Sequence, residues 1–220
     1  MRLVLASNNA KKLLELQALL QGLGVELLAQ GTLGVTEAEE PHATFLENAL
    51  AKARHAAAAT GLPAIADDSG LCVDALGGAP GVVSAHYAPL PESARGAARE
   101  TLRRLQDEAN NALLLERLQG VGDRRAAFCC TLLALRSADD PQPLVATGRW
   151  QGVILPARRG EGGFGYDPLM HIPALGATVA ELDAAAKNAF SHRALAAAHL
   201  RMLLAGAWRL GAAQDPAARP

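Results

Sequence analysis

Lysine is scarce in this chain, and the few copies stand out. Of the 21 basic residues 17 are arginine, and the four lysines are Lys11, Lys12, Lys52 and Lys187. Because arginine has taken most generic surface positions, we expect the lysines to be kept for their compact ammonium groups, which act as point charges on phosphate. Chance would give the same distribution, so this observation only ranks the four residues as candidates.

Cysteine is also rare. Cys72, Cys129 and Cys130 are an odd number without the spacing of a metal site. The adjacent pair, on a strand, would point to opposite faces of a sheet. We therefore interpret all three as reduced core residues of a cytoplasmic protein.

Strong net charge and long apolar runs are missing as well. The formal net charge is −1, which argues against electrostatic binding of nucleic acid. Since no apolar run is long enough to span a membrane and the N-terminus lacks a signal-peptide pattern, we expect no membrane association. The 220 residues, half of them hydrophobic, predict one domain over residues 1–210 and a disordered tail over 211–220.

The stretch Ile65-Ala66-Asp67-Asp68-Ser69-Gly70 is the centre of the functional prediction. Residues 63–66 are a short apolar run that predicts the start of a buried strand. The run ends in two carboxylates, which are costly to bury without partners. We therefore expect Asp67 and Asp68 at the carboxyl end of a sheet, where α/β proteins bind ligands. A surface turn is the alternative, because Asp, Ser and Gly are turn formers.

A polar turn follows the first predicted strand, residues 3–6. Ser7-Asn8-Asn9 leads into a leucine-rich helix predicted over residues 11–21, with two lysines in its first turn. Free backbone N–H groups and the helix dipole at such a start favour an anion. The turn is therefore a candidate phosphate site, and simple N-capping by Ser7 or Asn9 is the alternative.

Strands and helices are predicted along the rest of the chain, with no internal repeat and no linker. Strands are expected over residues 25–29, 71–76, 126–135 and 144–154. One helix is expected over 45–60, behind a capping box at Thr44. Two helices are expected within 92–118, and one each over 178–187 and 191–210.

An acidic run, Glu37 to Glu40, is either a solvated loop or a source of hard oxygen ligands for Mg²⁺.

The loop over residues 160–168 contains four glycines around Phe164 and Tyr166. Glycines let backbone approach a ligand closely, and an aromatic ring offers a stacking face for a base. A flexible lid or a plain surface loop is the alternative.

Short motifs follow one another in a fixed order along nearly the whole chain. They are residues 7–12, 39–40, 44–49, 66–71, 77–81, 162–168, Lys187 and 191–193. Each is weak alone, but in this order they resemble the inosine/xanthosine triphosphate pyrophosphatase family, which clears non-standard purine nucleotides. The resemblance implies an α/β fold, an elongated two-lobed mixed β-sheet flanked by helices with a substrate cleft between the lobes, and a homodimer.

The resemblance also implies a role for each matching position. Asp68 would accept a proton from water and would hold Mg²⁺ together with Glu40, and Ser69 would touch the substrate. The triphosphate would be held by Ser7, Asn8, Asn9, Ala10, Lys11 and Lys12, and the nucleoside end by Phe164, Gly165, Tyr166, Asp167, Lys187, His192 and Arg193. Lys12, Lys52 and Lys187 all fall on motif positions of the family, in agreement with the lysine ranking.

The implied reaction is Mg²⁺-dependent hydrolysis of the purine nucleoside triphosphates ITP, dITP and XTP to the monophosphate and pyrophosphate. A carboxylate can deprotonate the attacking water, while Mg²⁺ and lysines neutralise charge on the leaving pyrophosphate. Donors such as Arg193, His192 and backbone N–H groups near 163–166 would donate hydrogen bonds to the oxygen at position 6 and would find no acceptor in the amino group of adenine.

Two other functions compete with this interpretation. A phosphatase with an aspartyl nucleophile would use Asp67 or Asp68, but its acidic pair is expected after the first strand. A nucleotide sensor without turnover has no need of a water-activating base.

The sequence departs from the family pattern at three places. His86 stands where an arginine often follows Ser-Ala, so the role of that arginine is not assigned to it. Pro41-His42 follows the acidic pair, where a small residue and glycine are common. The segment 88–119 is longer and richer in arginine, and we expect its helices on the outside or at a partner surface.

Overall fold

Seven strands form one mixed sheet in the computed structural model, which describes residues 1–90, 94 and 96–211. The strands are β1 (Arg2–Leu5), β2 (Glu26–Ala29), β3 (Ala64–Val73), β4 (Arg125–Leu135), β5 (Leu144–Ile154), β6 (Met170–Ile172) and β7 (Ala177–Thr178). Their order in the sheet is β2-β1-β3-β4-β5-β6-β7. β1 pairs in parallel with β2 and β3, whereas β6 is antiparallel to β5 and β7.

Five α-helices lie in the described part of the chain. They are α1 (Ala10–Leu19), α2 (Phe45–Thr60), α3 (Arg99–Arg117), α4 (Ala184–Phe190) and α5 (His192–Ala207). Among the described residues, none of these helices combines the length and the apolar character that a membrane crossing requires.

Helix α2 begins and ends where its local signals predict. The Thr44 hydroxyl accepts a hydrogen bond from Glu47 N at 3.2 Å, which satisfies a free amide of the first turn. Gly61 ends the helix with φ 67° in the left-handed region and donates to Ala57 O, as glycine caps do.

The predicted end of the central strand after Ala66 is wrong. β3 runs without a break from Ala64 to Val73, so Asp67 and Asp68 lie inside a strand rather than behind one. Both are buried, which also excludes the surface turn. The strand continues through them because cations from other elements compensate the carboxylates. The separate strand predicted over 71–76 is therefore the end of β3 followed by a short 3₁₀ turn.

Two helix predictions in the second half of the chain also need correction. Residues 178–187 are not one helix: a 3₁₀ turn with a capping box between Thr178 and Glu181 is followed by α4, which Asp183 caps through Ala186 N at 2.7 Å. The last helix ends at Ala207 rather than near 210. Of the two helices predicted over 92–118, the second is α3. Residues 91–93, 95 and 212–220 lie outside the described residues, and with them most of the predicted tail.

The contacts of the chain group into two compact units. Unit 1 comprises residues 1–68, 130–148 and the chain from His192 onward, and unit 2 comprises residues 69–129 and 149–191. Each unit is built from segments that are far apart in sequence.

Unit 1 buries apolar side chains on both faces of its strands. Along β1, Leu3 and Leu5 pack in a cluster with α1 and α5, while Val4 packs in a second cluster with the alanines of α2. This alternation follows from the period of a strand, and strands covered on both faces read as continuous apolar runs. Gly148 of β5 belongs to the same arrangement, because a Cβ there would collide with the backbone of His192 at the start of α5.

Unit 2 has its own core around Trp150 and Tyr166. Leu114 of helix α3 and Leu118, which follows the helix, both belong to it, so one face of α3 packs on its own unit. The position of its other face at a partner surface stays a prediction. Among the three free thiols, Cys130 is buried, but Cys72 and Cys129 are only partly buried. The prediction of three core cysteines therefore holds for Cys130 alone.

Candidate active site

Asp67 is locked between two cations in unit 1. Its side chain is fully buried, Oδ1 accepts from Lys12 Nζ at 2.6 Å, and Oδ2 accepts from Arg193 Nε at 2.7 Å. Burial alone would raise its pKa, but the charges of Arg193 and Lys12 outweigh burial and hold the pKa of Asp67 well below its usual value. Arg193 also donates to Glu15 Oε2 at 2.9 Å. Asp67 is therefore a permanent anion that fixes α1 and α5 to β3.

Asp68, the next residue, has a different environment. Its Oδ1 accepts from Lys52 Nζ at 2.8 Å, whereas its buried Oδ2 has no hydrogen-bond partner among the residues that the structure describes. Burial outweighs the charge of Lys52 and raises the pKa of Asp68 to about 6. A buried oxygen without a donor, on a group that takes up a proton near neutral pH, can accept a proton or bind a cation.

Lys52 of α2 joins Asp68 to the acidic run. Its Nζ also donates to Glu40 Oε2 at 2.9 Å. Burial would lower the pKa of Lys52, but Asp68 and Glu40 raise it, and the pKa of Glu40 is lowered because Lys52 outweighs the effect of burial. The lysine ranking pointed to Lys52, although no role had been assigned to it.

The turn before α1 uses its side chains for capping. Asn9 Oδ1 accepts from Lys12 N at 3.3 Å, and Ser7 Oγ accepts from Asn9 N at 3.2 Å, so the N-capping alternative is confirmed for this turn. Asn8 Nδ2 donates to Glu37 Oε1 at 3.2 Å. Ala10 and Lys11 form the first turn of α1. Capping occupies these groups but leaves the position of Lys12 next to Asp67 unchanged.

A polar pocket of about 120 Å³ lies beside these residues in unit 1. Its lining is Ala6, Ser7, Lys12, Gln30, Glu37, Ala38, Glu40, Lys52 and Asp67. The pocket brings together the predicted phosphate turn, the acidic run and the central strand. Gln30 and Glu37 are additions to the predicted set; Glu37 belongs to the acidic run, but no local signal pointed to Gln30.

The chemistry of the donors fits a loosely held divalent cation. In the described part of the chain, no three His, Cys, Asp or Glu side chains are grouped so that they could hold a metal ion by themselves. Glu40 and Asp68 meet at Lys52, and Asp68 Oδ2 is a hard oxygen without a partner. Mg²⁺ is commonly bound by one or two carboxylates together with substrate phosphates, and this pair meets that requirement.

The glycine-rich loop of unit 2 carries an exposed aromatic ring next to two cations. Phe164 is 43 % exposed, and its ring centroid is 4.5 Å from Lys187 Nζ and 5.0 Å from Arg103 Cζ. Asp167 Oδ2 accepts from Lys187 Nζ at 2.7 Å and from Phe164 N at 3.0 Å. Gly163 has φ 77°, and a Cβ there would collide with the Asp167 carboxylate, so the close turn requires glycine.

The other residues predicted for the nucleoside end lie in different surroundings. Tyr166 is in the core of unit 2 and donates its hydroxyl to Ser84 O at 2.9 Å. Arg193 belongs to unit 1 and is only 4 % exposed in its ion pairs. His192, which is half-buried, starts α5, and Ser69 follows Asp68 on β3. Their contacts with a substrate stay predictions.

Comparison with protein families agrees with this arrangement of motifs. The model described as the Ham1 family matches residues 3–203. The chain belongs to the Ham1 family. The resemblance read from the motifs is thereby confirmed.

Relatives in the Ham1 family match the chain over nearly its whole length. A dITP/XTP pyrophosphatase of Leptothrix cholodnii is 69 % identical over 211 residues, which cover 96 % of this chain and 100 % of that protein. A dITP/XTP pyrophosphatase of Burkholderia pseudomallei is 63 % identical, with 89 % of each chain covered.

Solved structures of the Ham1 family share the fold. A HAM1 protein from Coxiella burnetii superposes with a TM-score of 0.82 at 43 % identity, covering 93 % of this chain and 98 % of that one. A nucleoside-triphosphatase / dITP/XTP pyrophosphatase from Mycobacterium abscessus superposes with a TM-score of 0.69 at 40 % identity, covering 91 % and 98 %. The predicted α/β fold with a mixed sheet flanked by helices is confirmed.

Proposed function

We propose that this chain is a nucleoside triphosphate pyrophosphatase that hydrolyses dITP and XTP, and ITP with them, to the monophosphate and pyrophosphate in the presence of Mg²⁺. The names of its relatives support the reaction and the first two substrates. The observation that carries the proposal is the contrast between the adjacent carboxylates of Asp67 and Asp68.

The contrast supports Asp68 as the general base. Both oxygens of Asp67 accept from cations at 2.6 and 2.7 Å, so Asp67 serves to orient Lys12. Asp68 keeps one oxygen without a partner, and its pKa is about 6. A general base works best when its pKa lies near the pH at which it operates.

In the proposed reaction one water molecule attacks the α-phosphorus. Its proton passes to Asp68, a new P–O bond forms, and the bond from the α-phosphorus to the bridging oxygen breaks to release pyrophosphate. Lys12 and Lys52 provide the nearby positive charge that phosphoryl transfer requires. A Mg²⁺ ion, when bound, neutralises charge on the pyrophosphate, and Glu40 with Asp68 would hold it.

We assign the purine base to the exposed ring of Phe164, because aromatic rings bind bases by stacking. Lys187 and Asp167 support that ring through their contacts with it and with its amide. We also propose, from the resemblance, that the protein works in the cytoplasm as a homodimer and binds no nucleic acid.

The products test the proposal against its rivals. Purified protein is incubated with dITP and Mg²⁺ in ¹⁸O-labelled water, and the products are separated by chromatography and weighed by mass spectrometry. We expect one pyrophosphate and one dIMP per turnover, with the label in dIMP, and we expect EDTA to stop the reaction until Mg²⁺ is restored. Stepwise orthophosphate release would indicate the phosphatase, and binding without turnover would indicate the sensor.

A further inference from the structure

Helix α3 presents three polar side chains to the glycine-rich loop of residues 162–168. Arg103, Asp107 and Asn111 are spaced by four residues and therefore share one face of the helix. Asp107 Oδ2 accepts from Gly165 N at 2.8 Å, and Asn111 Nδ2 donates to Gly165 O at 2.7 Å. Arg103 lies over the ring of Phe164. The face thus contacts the residue that carries the exposed ring and the residue that follows it.

The contacts hold the backbone of the loop at one point. Both the N–H and the C=O of Gly165 are bonded to α3, and Gly165 has φ 60°, a left-handed conformation that glycine adopts without steric cost. Asn111 is 2 % exposed and also donates to the backbone carbonyl of Asp107 at 2.6 Å, which fixes its amide against the helix. A loop ordered in advance does not lose that conformational freedom when a ligand binds.

Other polar residues of α3 serve a different purpose. Asn110 accepts from Ala88 N at 2.9 Å and Gln106 donates to Ala88 O at 2.8 Å, which fixes the segment before the helix. Arg104 and Glu108 form an exposed ion pair with each other at 2.6 Å. The contacts with the loop are therefore made by one face of α3, and the exposed pair provides matched controls.

We propose that Asp107 and Asn111 are positioning residues that hold the Phe164 ring ready for the purine base, and that Arg103 steadies the ring from the helix. The proposal rests on the proposed function and deepens it by adding α3 to the determinants of nucleoside binding. Asp107 and Asn111 act through Gly165 and touch no reacting atom. Their loss weakens binding of the base and leaves binding of the phosphates unchanged.

The test compares Asp107→Ala with Glu108→Ala, which removes the same charge one residue away. Hydrogen exchange of a peptide covering residues 162–168 reports the loop, and calorimetry reports the affinity for dIMP and for inorganic tripolyphosphate. For Asp107→Ala we expect faster exchange, an affinity for dIMP lower by about tenfold and an affinity for tripolyphosphate within about twofold of the wild type. Glu108→Ala should match the wild type, and Asp107→Asn, which keeps an acceptor oxygen, should recover most of the loss.

A second pair of variants does not depend on the buried contacts. Arg103 is exposed, so Arg103→Ala should fold, and we expect about a threefold loss of dIMP affinity that Arg104→Ala does not share. Unchanged exchange or unchanged dIMP affinity in both Asp107→Ala and Arg103→Ala would overturn the proposal, as would equal losses for dIMP and tripolyphosphate. The proposed function is tested separately by measuring dITP turnover of the wild-type protein, and absence of that turnover would contradict it.

Discussion

At the scale of single residues, Asp67 and Asp68 differ because alternation along β3 sends them to opposite faces. One face meets Lys12 of α1 and Arg193 of α5, and the other meets Lys52 of α2. Two close cations keep Asp67 ionised, whereas a single lysine does not offset the burial of Asp68. The same side chain therefore has a structural role at position 67 and suits proton transfer at position 68.

Replacing Asp68 by Asn tests that assignment. Loss of a general base costs about 10² to 10⁴ in rate, so we expect turnover of dITP to fall at least that far. The melting temperature should stay the same or rise, because the raised pKa means that the folded chain already favours a neutral group at this position. The measurements are steady-state kinetics and thermal unfolding, with the exposed Asp139→Asn as control. Wild-type turnover in Asp68→Asn would disprove the role.

The sequence was informative at this scale about residue types and less so about partners. The adjacent acids and the capping turn were recognised because their signals are local, and Lys12, Lys52 and Lys187 because lysine is scarce and they fall on family motif positions. The ion pair between Arg193 and Asp67 joins residues 126 positions apart, and no local pattern predicts it. Arg193 was therefore assigned to the nucleoside end, while the structure has it buried in unit 1.

At the scale of elements, prediction succeeded where the determinants lie within the element. α2 has its cap, its alanines and its terminal glycine in one stretch, and its bounds were predicted. β3 was cut short because the cations that allow carboxylates in its interior come from α1, α2 and α5. α3 was expected on the outside because its segment is rich in arginine as well as leucine, yet Leu114 and its polar face pack on unit 2.

The glycine-rich loop supports a prediction about pH. Burial outweighs the charge of Lys187 and raises the pKa of Asp167 above its ordinary value of 3.8. The folded chain then binds this proton more tightly than the unfolded chain, so the contribution of Asp167 to stability is present below pH 3.8 and is lost as the pH rises through the raised pKa. Asp167→Asn does not titrate, and we expect its stability relative to the wild type to improve as the pH rises from 3.8 through the raised pKa of Asp167.

Urea unfolding at several pH values measures this difference, with Asp139→Asn as the exposed control. The control should show a nearly constant offset from the wild type over the same range. If the offset of Asp167→Asn were constant as well, or changed in the opposite direction, the ion pair with Lys187 would dominate over burial.

At the scale of the whole molecule, the match to the relatives extends over the entire Ham1-family region and not over one motif. The alignment with the relative from Leptothrix cholodnii covers the whole of that protein and 96 % of this chain. Substrate choice is the property for which this agreement matters most. The residues proposed for substrate choice are far apart in sequence, and several of their hydrogen-bond donors already bond to other protein groups.

Hypoxanthine and xanthine present an acceptor oxygen at position 6, where adenine presents an amino donor. The structure narrows the choice of protein donors for that oxygen. The amides of Phe164 and Gly165 already donate to Asp167 and Asp107, and Arg193 already donates to Asp67 and Glu15. The amides of Phe164 and Gly165 and the guanidinium of Arg193, three of the groups first expected to contact the base, are thus held in internal contacts in this structure.

We predict that kcat/KM for dITP, ITP and XTP exceeds that for ATP by about 10⁴, since a site built for one hydrogen-bonding group rejects an analogue lacking it by that order. A kcat/KM for ATP within about tenfold of that for ITP would show that the site does not recognise the oxygen at position 6 of the base. Because Arg193 joins α5 to β3 and α1, Arg193→Ala should leave buried Asp67 with Lys12 as its one remaining ion-pair partner in the described residues, at a cost of up to roughly 3–5 kcal/mol. All nucleotides should then lose turnover by the same factor, with a lower melting temperature, and Arg193→Lys should restore part of both. Selective loss of ITP turnover at unchanged stability would instead indicate that Arg193 contacts the base. Measuring kcat/KM for these four nucleotides on the wild type and both variants distinguishes the two outcomes.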